Sequence, residues 1–113
     1  MCINMDDEDF YGAAQSVKDA KDDVRRMIEW MDEHASKLPH GIMEDLIANL
    51  QDANNVLPDD VPFAPKWKRM TNKVLRNANR LNDNAHRFDS HMRRDRAKEL
   101  ADKIDSLLAE MVG

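Results

Sequence analysis

The stretch Pro65–Val112 reads PKWKRMTNKVLRNANRLNDNAHRFDSHMRRDRAKELADKIDSLLAEMV, forty-eight residues that lack glycine and carry their one proline at the start. From Trp67 onward, apolar side chains recur at Met70, Val74, Ala78, Leu81, Ala85, Phe88 and Met92. Their mean step is about 3.6 residues, the period of an α-helix with one buried stripe. After a polar gap at Arg96 the stripe resumes at Leu100, Ile104, Leu107 and Met111. Asp89, Ser90 or Asp95 could cap a new helix inside that gap. Helix reversals commonly use Gly or Asn, however, and neither occurs between residues 85 and 112, so a continuous or merely bent helix is favoured. One helix of that length would run to about 70 Å. Its overhanging stripe would need a second copy of the chain, as in a homodimer, or another protein to cover it.

Working outward toward the N-terminus, Val56–Pro65 contains three prolines and is a connector, with Pro65 suited to the first turn of the helix that follows. Before it, Met43, Leu46, Ile47, Leu50 and Ala53 mark a shorter helix that fades at Asn54 and Asn55. Leu38-Pro39-His40-Gly41 predicts a tight corner, with Gly41 able to take a positive φ. The first helix carries a stripe of Phe10, Ala14, Val17, Val24, Ile28, Met31, Ala35 and Leu38, interrupted by Lys21. Asp6 or Asp7 suits its N-cap, and Glu8 and Asp9 favour its first turn. Met27 and Trp30 lie beside that stripe. Either the first helix packs against two neighbours, or these two side chains anchor a partner, since Trp and Met are enriched at interface centres.

The fold class that follows is an all-α single domain over residues 1–113, a three-helix or alternatively four-helix bundle with a very long C-terminal helix. At 113 residues the chain can bury a modest core without disulfides. Cys2 is the only cysteine, which rules out an intrachain disulfide, a cysteine-rich zinc site and a CxxC pair. The start of the chain lacks the basic and apolar regions of a secretory signal, and no apolar run approaches a membrane span. A cytoplasmic protein is expected.

The net charge of −5 conceals a strong asymmetry. Residues 1–63 hold 15 acids against 5 bases, residues 64–98 hold 3 against 11, and residues 99–113 hold 4 against 1. Within the basic block, Lys66, Arg69, Lys73, Arg76, Arg80, Arg87 and Arg94 fall on one line, offset by about 100° from the apolar stripe. Glu8, Asp19, Asp22, Glu29 and Glu33 offer an acidic line on the first helix. The two lines could pair across an interface, contributing about 0–1 kcal/mol per exposed pair. Otherwise the basic line serves an acidic protein surface or tracks phosphates in nucleic acid. Trp67 and Phe88 sit on the apolar stripe, away from the bases, so no stacking platform supports the nucleic-acid reading. Asn77, Asn84 and His91, seven residues apart at the edge of the stripe, are candidates for fixing register or partner choice.

Catalytic readings are thin. Asp83-x-x-His86 is a single half of the paired motif a helical di-metal site needs. Asp19/Asp22 and Glu29/Asp32 could hold Mg²⁺ as in helical nucleotide pyrophosphatases, but Arg25 and Arg26 fall between them. There is no Gly-rich phosphate loop and no arrangement of Ser, Cys or His that makes a nucleophile. No enzyme, cofactor, metal, membrane or small-molecule substrate is expected. The reading that remains is a non-enzymatic protein-protein interaction module that docks on an acidic or mixed surface, contacting its partner through the basic line with Met27 and Trp30. Small acidic helical proteins without catalytic motifs recur among phage-encoded inhibitors and bacterial adaptor or immunity proteins, an analogy of type. Nucleic-acid binding by the same arginines is the runner-up.

Overall fold

A computed structural model describes residues 4–112, with side chains from Glu8 onward; Cys2 lies outside the described residues. They form four α-helices, α1 (Asn4–Glu33), α2 (His40–Val56), α3 (Ala64–Asn84) and α4 (Ser90–Val112), with a 3-10 turn at Ala85–Arg87. The helix α1 packs on α2 and α4, and α3 packs on the same two helices. The bundle is therefore a square in which α1 and α3 are diagonal, drawn out to 52 × 21 × 21 Å.

The apolar spacing of each helix sets the face it buries. On α1 the fully buried residues are Ala13, Val17, Ala20, Val24, Met27 and Met31, while Phe10, Ala14 and Ile28 are only partly covered. The stripe is thus centred about one residue from the line read along Phe10, Ala14 and Ile28, because α1 faces two neighbours at once. Trp67 anchors α3: it is fully buried, and its Nε1 donates to the Leu107 carbonyl of α4 at 3.1 Å. A buried indole N–H has to find an acceptor, and this one ties two helices together. Thr71, also buried, donates its hydroxyl to the Trp67 carbonyl at 2.9 Å. On α4, Ala97, Leu100, Ile104, Leu107 and Met111 close the core.

The continuous C-terminal helix favoured by the lack of Gly or Asn is not formed. The chain leaves α3 at Asn84 (φ −118°, ψ 21°), passes through the 3-10 turn, and becomes extended at Phe88 (φ −99°, ψ 139°). Asp89 then caps α4, its Oδ1 accepting from the Met92 N–H at 2.8 Å. Without glycine at the reversal, the carbonyls of the turn itself are engaged by Arg93. Its guanidinium donates to the carbonyls of Ala85 (3.2 Å), Phe88 and, across the bundle, Ser36 (Nε, 2.8 Å). With α4 folded back on α3, the apolar stripe except Met92 is covered or partly covered within one chain, and the overhang that motivated a homodimer is absent.

The first corner also differs from the expectation. Here α1 ends at Glu33 rather than Leu38, and the positive φ falls on Ala35 (55°) and Ser36 (60°), not on Gly41. The Ser36 N–H reaches back to the Met31 carbonyl at 2.7 Å, a Schellman-type closure. Gly41 lies in the first turn of α2 with open space around it. The proposed caps Asp6 and Asp7 lie inside α1, which begins at Asn4.

Two stability changes follow. Ala35 is exposed and left-handed, so Ala35→Gly should raise the unfolding free energy by about 1 kcal/mol in chemical denaturation. Arg93→Met should lower it by roughly 2–3 kcal/mol with little loss of helical circular dichroism, since it orphans carbonyls at both corners rather than emptying the core.

Candidate functional site

The helix α3 is the most basic element of the fold. It holds Lys66, Lys68, Arg69, Lys73, Arg76 and Arg80 against the single acid Asp83. Its buried face (Ala64, Trp67, Thr71, Val74, Ala78, Leu81) turns these bases outward. The structure divides the predicted basic line into two groups.

Three of its members are removed from the line or neutralised. Lys66 Nζ pairs with Glu110 Oε1 of α4 at 3.3 Å. Arg94, beyond the chain reversal, pairs with Asp32 of α1 at 2.7 Å. Arg87 is exposed but lies in the 3-10 turn, past the end of α3. The break at 85–89 interrupts the helical period, so residues beyond it no longer share the α3 face. Lys68, which sequence reasoning left out, is held by Asp59 of the connector at 2.6 Å.

Arg69, Lys73, Arg76 and Arg80 remain in line on α3. All four are exposed, and none has a carboxylate partner among the described residues. The acidic line of α1 does not reach them, because the two helices occupy opposite corners of the square. Asp19, Asp22 and Glu29 of that line instead border an open groove of about 710 Å³ between α1 and α2, together with Asp23, Arg25, Arg26 and, from α2, Asp45. At the base of that groove Asp23 is buried and accepts from Asn49 Nδ2 (2.8 Å) and from Arg26. This joins α1 to α2. No three His, Cys, Asp or Glu among the described residues converge as metal ligands.

The other expected contacts need correction. Met27 is fully buried in the core and can touch no partner; the face of α1 is wider than its first-read stripe, and Met27 lies at the centre of it. Trp30 is half-buried and stacks flat on His34, with ring centroids 3.7 Å apart, while His34 Nδ1 donates to the Trp30 carbonyl at 2.7 Å. The two side chains proposed as a joint anchor are thus separated, one inside and one at the surface. Asn77, Asn84 and His91 do not form one line. Asn84 donates to the Arg80 carbonyl (3.2 Å) where α3 ends, and His91 lies on α4, 3.3 Å from Asp95. The heptad spacing that linked them in the sequence crosses the helix break.

Sequence reasoning also missed the α3–α4 seam. Met70, Lys73, Val74, Lys103 and Ser106 line a recess of about 180 Å³ there. Only Met70, Lys73 and Val74 were visible as neighbours, since Lys103 joins them through the chain reversal. Neither Trp67 nor Phe88 joins the exposed bases of α3: Trp67 is buried, and Phe88 is half-buried with the Arg96 guanidinium 5.6 Å from its ring centroid. No described helix is long and apolar enough to cross a membrane. Compared with protein-family models, with curated proteins and with solved structures, the chain has no match in any of the three.

The correction at Met27 can be checked directly. Met27→Ala should cost about 2–5 kcal/mol by denaturant unfolding, as expected of a core truncation, whereas Trp30→Ala should cost clearly less.

Proposed function

We propose that this protein is a non-enzymatic interaction module that docks through the exposed face of α3 onto an acidic surface of another protein. The observation that carries the reading is the line Arg69, Lys73, Arg76 and Arg80, outward-facing and without carboxylate partners, in a fold that pairs Lys66, Lys68 and Arg94 with its own acids. Four like charges along one helix repel one another, and a complementary surface relieves that repulsion. An inhibitor or adaptor needs no more than such a face on a rigid bundle.

Nucleic acid is the competing ligand class, because phosphates satisfy the same arginines. The retreat of Trp67 and Phe88 from the basic face weighs against it, since binding of single strands draws on aromatic stacking.

Binding of poly-glutamate and of duplex DNA, measured at low salt for the wild type and for Arg76→Glu/Arg80→Glu, separates the two. The expected result is acidic-polypeptide binding that falls about tenfold or more in the double variant, with unchanged circular dichroism and with DNA bound more weakly than the polypeptide. DNA bound more tightly than poly-glutamate would move the assignment to nucleic acid. No binding of either would leave the basic face without a role.

A further inference from the structure

The helices α3 and α4 run antiparallel, and the Lys66–Glu110 ion pair fixes which positions oppose each other along their outer seam. One heptad along α3 from Lys66 is Lys73, and one heptad back along α4 from Glu110 is Lys103. The register that sets a carboxylate against the first lysine therefore sets an ammonium against the second. Both lysines line the recess at Met70, Val74 and Ser106, and neither has a carboxylate partner among the described residues.

The recess has an apolar base, with Val74 buried and Met70 half-buried. The Ser106 hydroxyl is already engaged, donating to the Asp102 carbonyl at 3.1 Å. A volume of about 180 Å³ is comparable to engineered cavities of roughly 150 Å³ that take up benzene, and so admits one branched aliphatic side chain. Arg69 and Arg76 lie about one helical turn to either side of Lys73 on the same exposed face. An aliphatic group in the recess would thus have cations beside it and one turn before and after it.

We infer that this recess receives a leucine-like side chain from an acidic helical segment of the partner protein, whose flanking Asp or Glu residues meet Lys73, Lys103, Arg69 and Arg76. The inference rests on the docking reading above and supplies its chemical class of partner: an amphipathic helix with one aliphatic anchor and acids three or four residues to each side. Two facing lysines at an apolar opening suit that composition on both counts. Nucleic acid would satisfy the charges and leave the recess unfilled.

The test uses the full chain, labelled at its methionine methyl groups and backbone amides, and a synthetic helical peptide carrying one leucine with glutamates at those spacings. A saturable shift of the Met70 methyl resonance is expected. Changing the peptide's leucine to alanine, or the protein's Lys103 to glutamate (Lys103→Glu), should each weaken binding about tenfold. Lys103→Glu should not lower the melting temperature, since it removes a facing like charge. If the peptide binds and perturbs the Arg76 and Arg80 amides, but is indifferent to its leucine and to Lys103→Glu, the recess has no role while the basic face keeps its own. If the peptide does not bind at all, both readings fall. An oligonucleotide that shifts the Met70 methyl as strongly as the peptide would overturn the protein assignment.

Discussion

The guanidinium of Arg93 holds together the end of the bundle where both helical hairpins turn. At this end two helices stop, α1 at Glu33 and α3 at Asn84, and the turns that follow carry carbonyls outside any helical ladder. Arg93 supplies N–H groups to both sites, donating to Ala85 and Phe88 beside the second turn and to Ser36 beside the first. Together with Asp89, which caps α4, these bonds hold the reversal after α3 within a run of forty-eight residues that lacks glycine. Once α4 folds back, its apolar face covers α3 and α1. Trp67 then finds its acceptor at Leu107, and α1 and α3 are left at opposite corners.

That diagonal placement explains the fate of the charges. The acids of α1 and the bases of α3 are opposite in sign, and in a hairpin of the two they could have neutralised each other. The bundle separates them by a full diagonal, and each helix pairs with other neighbours instead: Lys21 with Asp105, Arg94 with Asp32, Lys66 with Glu110 and Lys68 with Asp59. The middle of α3 is left with Arg69, Lys73, Arg76 and Arg80 facing outward. Topology decides this, and no pairwise reading of charge patterns along the chain contains that information.

Much of the architecture was nonetheless legible from residue spacing. The periodicity located Trp67, Val74, Ala78 and Leu81 on one buried face and Leu100, Ile104, Leu107 and Met111 on another. The proline-rich connector and the span of α2 also follow from local chemistry. The break was misjudged because the residue that opens it, Asn84, falls one position before the interval read as lacking Asn, and because the remaining chain reversal relies on a long-range arginine. The corner after α1 was displaced for a related reason. Ala35 and Ser36 adopt a conformation that residue preference assigns to glycine, held there by the Ser36-to-Met31 closure and by the Arg93 contact to the Ser36 carbonyl. Of the candidate contact residues, those on α3 stayed exposed, whereas Met27 went inside because α1 shares its face between two neighbours.

Sorting charge across the width of the bundle has an effect on how the molecule meets others. The cross-section is 21 Å, more than twice the screening distance of about 8 Å in physiological salt. An approaching surface therefore responds to the edge nearest it and hardly to the net charge of −5. The protein behaves as a transverse dipole: near a negative surface it experiences a torque that turns α3 inward and α1 away, before any side chain touches. Orientation in the encounter is thus built into the arrangement of the four helices, and it would fade as added salt shortens the reach of the field.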